Sequence, residues 1–147
     1  MTTNHSLVPH LIVEGAPAAI DFYVGALGAR EIERFATPSG RVIHAALEIA
    51  GARFTLAEEH REWRNVAPRA LGGSSVVLRL RVDDPDAVAE RALGRGARVI
   101  FPIADQPYGA REGRVEDPFG HLWILSKPLR DVPRAEMDRL LASYDEG

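Results

Sequence analysis

Six side chains of chemically useful type fall in strand-like stretches: His10, His44, Glu48, Thr55, Arg79 and Arg81. An imidazole titrates near neutrality and serves as a general base. Two arginines two positions apart offer forked donors to an anion, or to the oxyanion or enolate of a reacting carbonyl compound. An arginine close to either histidine would lower its pKa and keep it neutral, as a base requires. Strand alternation sorts these residues by face. His44, Ala46 and Glu48 oppose Ile43, Ala45, Leu47 and Ile49, and Val77, Arg79 and Arg81 oppose Val76, Leu78, Leu80 and Val82. A register shift of one residue inverts any such assignment. A half-exposed sheet whose polar face simply meets water gives the same alternation, so both readings stand. His44 and Glu48 lie about 13 Å apart along a strand, too far to share an ion. No Ser-His-Asp order, phosphate-binding glycine loop or nucleotide motif accompanies them.

The rest of the composition narrows the classes. The 147 residues are 46% hydrophobic, enough for one domain or two small packed modules. A net charge of −3 gives no electrostatic case for nucleic acid. No stretch approaches the roughly 20 apolar residues of a membrane span, and the opening MTTNHSLV lacks the regions of a signal peptide. The absence of cysteine excludes disulfides, thiolate metal sites and a cysteine nucleophile. The expectation is a cytoplasmic protein with no nucleic-acid or membrane partner.

The elements that must position these residues occur twice. VEGAPAAIDFYVGALGARE begins at Val13 and VDDPDAVAERALGRGARV at Val82, a repeat of about 69 positions. Each copy reads as strand–helix–strand–strand–strand. In the first, strand 10–13 precedes a helix over 16–27 with Ala16, Ala19, Ile20, Tyr23 and Leu27 on one stripe and Gly28 as its stop. Strands 29–35, 42–49 and 53–57 follow, divided by TPSG and Ala50-Gly51. In the second, strand 76–82 leads through Asp84 and Pro85 into a helix to about Gly94, then strands near 98–101, 113–116 and 121–126. The class is α+β: two tandem βαβββ modules forming a cleft-lining mixed sheet, plus a short C-terminal helix over 134–144 that serves packing or dimer contact. The divisions are 1–60, a linker over 61–74, 75–128 and a helical tail over 129–147.

IDFYVGALGA (20–29), HAALEIAGARFTLAEE (44–59) and VEDPFGHLWIL (115–125) resemble the vicinal oxygen chelate superfamily of glyoxalases, bleomycin-resistance proteins and extradiol dioxygenases. The run YGAREG (108–113) and LGG (71–73) look closest to its PhnB-like branch. The resemblance implies paired modules around a cleft and a homodimer. In metal-bearing members the ligands would fall at Val8, Thr55, Val77 and Ile124, none of them a usual ligand for a divalent ion. No metal and no cofactor is therefore implied. In the family's strand order the first and third strands are two places apart, roughly 9–10 Å, which matches His10 and His44 poorly for a shared ion.

With helices over the apolar faces, the cleft would hold His10, His44, Glu48, Thr55, Arg79 and Arg81 above a floor of Val8, Val77, Leu122 and Ile124. Glu48 would also serve as a salt-bridge partner for an arginine. Arg111, in the YGAREG run with Glu112 and Arg114 beside it, would close over a ligand or form a surface ion pair. His121 and Trp123 read as structural, Asp83 and Asp84 as helix caps, and Trp63 as a cap on the cleft, a stacking partner for a ligand or an anchor of the linker. Two functions follow. One is a binding protein of the bleomycin-resistance type, holding a small anionic or aromatic molecule. The other is a metal-independent lyase or isomerase acting on a small carbonyl compound, with His10 or His44 as base. A metal-dependent glyoxalase or dioxygenase ranks third.

Overall fold

The computed structural model describes residues 5–145; residues 1–4 and 146–147, the outer ends of the first module and of the tail, lie outside the described residues. The first module comprises β1 (His10–Val13), α1 (Ala16–Leu27), β2 (Arg30–Ala36), β3 (Val42–Ile49) and β4 (Ala52–Glu58). The second comprises β5 (Val77–Arg81), α3 (Pro85–Gly94), β6 (Arg98–Asp105), β7 (Ala110–Glu116) and β8 (Leu122–Pro128). Between them the linker folds into a 3-10 turn at Arg61–Trp63 and a short helix, α2 (Pro68–Leu71). Two separate four-stranded sheets result, in the orders β1-β4-β3-β2 and β5-β8-β7-β6. Each is mixed: β1 pairs parallel with β4 and β5 with β8, and the remaining pairs are antiparallel.

Alternation is obeyed where a helix covers the sheet. Ala45, Leu47 and Leu56 are fully buried against Ala16, Ala19, Ile20, Tyr23 and Ala26 of α1. Glu58 accepts hydrogen bonds from the backbone N–H groups of Gly15 and Ala16 (2.9 and 2.8 Å), supplying the cap that Gly15 lacks. Asp84 caps α3 by accepting from the Ala87 N–H.

β6 and β7 both extend beyond the expected limits. Pro102 argues against a strand, but β6 is an edge strand with register shifts on either side of Phe101, so a missing N–H there costs no ladder bond. The shift presses the β6 backbone onto Gly113, where a Cβ would stand 2.6 Å from the Phe101 carbonyl oxygen. Gly109 turns the β6–β7 hairpin with φ +95° and accepts from the Leu129 and Arg130 N–H groups. The glycines of YGAREG are therefore required by backbone packing.

The modules meet through buried aromatic side chains. Tyr23 packs against Phe54, Phe119 and Trp123 at centroid distances of 5.5, 6.3 and 5.6 Å. Asp117, 3% exposed, accepts from Tyr23 Oη (2.6 Å), Trp123 Nε1 (3.0 Å) and the N–H groups of Phe119 and His121. Burial, with the Asp117 charge beside it, pushes the Tyr23 hydroxyl well above its ordinary pKa. His121 is buried and donates from Nε2 to the Ile12 carbonyl (2.8 Å). The C-terminal helix, α4 (Arg134–Asp145), has no fully buried residue; Glu136, Met137 and Leu140 are partly buried.

Candidate functional site

The open faces of the two sheets carry different chemistry. On the first, one rung of the ladder reads His10–Thr55–Ala46–Glu33. His10 Nδ1 lies 2.6 Å from Thr55 Oγ1. β1 and β3 are two places apart, as expected, and the His10 and His44 rings lean together across the gap to a centroid distance of 6.5 Å at 19°. Phe35 lies against the other side of His44 at 6.0 Å. Burial first, and the neighbouring His44 second, lower the His10 pKa; no arginine is the cause. His44 Nε2 is 3.4 Å from Glu33 Oε1, and Glu48 receives Arg30 Nη2 at 3.2 Å.

On the second sheet the corresponding rung reads Arg79–Ile124–Arg114–Phe101. Two residues along β7, on the rung of Ser126 and Arg81, Glu112 faces the same way and is 5% exposed. Its carboxylate accepts from Arg79 Nη1 and from Tyr108 Oη, and Arg79 Nη1 also reaches Ser126 Oγ at 3.4 Å. Burial alone would raise the Glu112 pKa, but hydrogen bonds from Tyr108, Ser126 and Arg79 outweigh it and hold the carboxyl below its ordinary value. Burial and the bond to Glu112 push the Tyr108 hydroxyl up to about 12. At neutral pH this is an ionised acid with a protonated phenol donating to it.

Above the network opens a cavity of about 380 Å3, lined by second-module residues alone: Phe101, Pro102 and Ala104 of β6, Gln106, Tyr108, Glu112–Arg114 and Ile124. A hollow of about 500 Å3 lies between the modules, where Ser6–Pro9 and the β3–β4 hairpin meet Leu78, Arg79, Leu80 and Trp123. It is larger and mainly apolar, with core residues such as Phe54 and Trp123 in its lining and Arg53 and Arg79 as its charged groups.

The six residues expected in one cleft thus divide between two faces. His10, His44, Glu48 and Thr55 lie on the first sheet, and Arg79 and Arg81 are exposed on β5 of the second; Ile124, expected in the floor, pairs with Arg79 there. Arg111 does not close over the cavity. It points to the opposite face of β7, where Asp86 takes Nε and Nη2 (2.7 and 2.9 Å) and Asp105 takes Nη1 (2.9 Å). Trp63 stacks on His60 in the linker at 4.0 Å. Glu112 and Arg114 stand in the sequence only as neighbours of Arg111, and Tyr108 and Phe101 have no assigned role there; the expected strand 113–116 leaves Glu112 outside β7, which runs from Ala110 to Glu116. Carrying the alternation of Arg114 and Glu116 back one step would have placed Glu112 on the cavity face.

A divalent metal of the kind the fold family uses does not fit this donor set. Val77 and Ile124 have no donor atom, and Thr55 Oγ1 is engaged by His10. Among the described residues no three His, Cys, Asp or Glu side chains converge as a metal site.

Paired βαβββ modules with this strand order define a glyoxalase-type fold. The family model of the Glyoxalase/Bleomycin resistance protein/Dioxygenase superfamily matches residues 3–125, and the chain belongs to that family. An uncharacterised protein of Mycobacterium bovis is 42% identical over 145 residues, covering 97% of this chain and 95% of that one. Among solved structures, TioX from Micromonospora sp. ML1 is 25% identical with a TM-score of 0.66, covering 86% of this chain and 100% of TioX. A PhnB protein from Bacillus cereus, at 20% identity and TM-score 0.61 over 84% of this chain and 99% of its own, shares the fold.

Proposed function

We propose that this protein binds a small, partly aromatic molecule on the open face of its second sheet, without a metal ion. The observation that carries the reading is the concave cavity with apolar walls, Phe101, Pro102, Ala104 and Ile124, above a few fixed polar groups, Glu112, Tyr108 and Gln106. Apolar walls supply affinity and a few convergent polar groups supply orientation. The Arg79–Glu112–Tyr108 network is satisfied internally, so it holds its shape before a ligand arrives. Sequestration by mass action requires no further chemistry.

The metal-independent lyase or isomerase reading draws on one observation, a His10 ring aligned by Thr55 and held below its ordinary pKa. A thermal-shift screen of aromatic acids, amides, phenols and 2-oxo compounds, followed by product analysis on each hit, separates the two. Binding with the ligand recovered unchanged, weakened by Phe101→Ala and Ile124→Glu but not by His10→Ala, is the expected result. Turnover lost with His10→Ala would replace it with the enzyme reading. Hits weakened by Leu80→Glu, with Phe101→Ala and Ile124→Glu without effect, would move the site to the hollow between the modules.

A further inference from the structure

The cavity on the second sheet contains one arginine with nothing to do. Arg114 lies on the central rung between Ile124 and Phe101 and lines the cavity. It makes no hydrogen bond or ion pair with any described residue. Its Nε is closed off from solvent and has no partner, and its guanidinium lies over the Phe101 ring, 5.4 Å from the centroid. The neighbouring carboxylates of β7 are both committed. Glu112 is matched by Arg79, and Glu116, next along the same face of β7, is held by Arg98 at 2.6 Å. Among the residues lining the cavity Arg114 is therefore the one cation, a fork of donors with an empty acceptor side; Arg81, exposed farther along the same face, does not line it.

From this we infer that Arg114 is the anion receptor of the site and that the ligand is an aromatic monocarboxylate or an acid of equivalent planar geometry. This rests on the reading of the cavity as the binding site and names its ligand class. A carboxylate matches the guanidinium fork with two parallel hydrogen bonds. The side chain reaches such a ligand by swinging off Phe101. That motion gives Nε its missing acceptor and uncovers the ring face for the ligand's aromatic part. Arg79, the sequence-based candidate for this role, is already bound to a buried carboxylate and would have to abandon it. Arg114 is the one cation lining the cavity, so it serves a single carboxylate, and a second one on the ligand would lie near Glu112 without a partner of its own.

The test is isothermal titration calorimetry with matched acid and amide probes on the full chain: indole-3-acetate against indole-3-acetamide, 2-naphthoate against 2-naphthamide, and 4-hydroxybenzoate against 4-hydroxybenzamide. At least one acid is expected to bind about tenfold or more tighter than its amide. Arg114→Gln should erase that preference, leave amide affinity within about twofold and leave the melting temperature unchanged or higher, since it removes an unpaired buried donor. Arg114→Lys keeps the charge without the fork and should retain only part of the preference. Acids and amides binding alike would overturn the receptor assignment while the cavity reading stands. An acid preference that survives Arg114→Gln would overturn it as well. Loss of acid and amide binding together with a lower melting temperature would make Arg114 structural, and no binding by any probe would remove the cavity reading and the receptor with it.

Discussion

The two modules share strand order, parallel first-to-last pairing and a helix on the covered face, and equivalent positions can be matched through a 69-residue offset. His10 corresponds to Arg79 and Thr55 to Ile124. On the covered faces both copies keep a core of apolar side chains, of equal size at Leu56 and Leu125 and of different size at Ile20 and Ala89 or Tyr23 and Ala92, because both faces meet the requirement of burial. On the open faces nothing imposes such a requirement, and the copies diverge. The first carries a histidine pair beside a hydroxyl; the second carries an ion pair, a phenol and an unpaired arginine around a cavity. The scaffold constrains one face of each sheet and leaves the other free to differ between the copies.

The largest difference between the copies lies at the turns before their last strands. The first turns on Ala50-Gly51; the second uses Asp117 to hold its own loop and the Tyr23 hydroxyl of the other module. Asp117→Ala strands two buried side-chain donors and two loop N–H groups, and should cost about 3 kcal/mol or more in urea denaturation. Tyr23→Phe removes one of those bonds and should cost about 1 kcal/mol. Ala52→Ser, exposed at the end of the first hairpin, should stay within about 0.5 kcal/mol. If Asp117→Ala cost no more than Tyr23→Phe, the acid would not be the centre of this network.

Positions 10 and 79 give a sharper test, because topology makes them equals. Arg79→Met leaves Glu112 buried without its counter-charge, and a loss of about 1–2 kcal/mol is expected after allowing for the half-exposed arginine. His10→Met breaks one bond at an exposed edge and should cost less than about 0.5 kcal/mol. In the Glu112→Gln background the Arg79→Met loss should shrink, since the two residues belong to one network. Equal losses at the two positions would mean that the open faces are energetically alike.

The repeat, the helix stripe, the caps and the apolar faces were legible in the sequence because burial imposes periodicity on composition. Two things were hidden. Pro102 reads locally as a strand breaker, and only the edge position of β6, a property of the sheet's order, makes it harmless. The pairing of Arg79 with Glu112, 33 residues apart, depends on β8 lying between β5 and β7. Arg111 and Arg114 are equally basic in the sequence. Strand parity sends one to Asp86 on the covered side and the other into the cavity.

The smallest effect separates the faces along the pH axis. His10 titrates below its ordinary value of 6.5 because burial and His44 both oppose its protonation. Between the unfolded and folded values the unfolded chain binds more protons, so this contribution is complete above about 6.5 and is lost as pH falls through the folded value. The Glu112 carboxyl is also depressed, but from the carboxylate range, so its contribution is complete above about 4.3 and disappears only in stronger acid. Urea midpoints measured from pH 7.5 down to 3 should therefore fall in two stages. His10→Gln should flatten the first stage and leave the second, and Glu112→Gln should do the reverse. The His10 stage should be shallow, because the ring is partly exposed and solvent screens its charge. A first stage unchanged in His10→Gln would assign it to another group and leave the open face of the first sheet without a titrating partner.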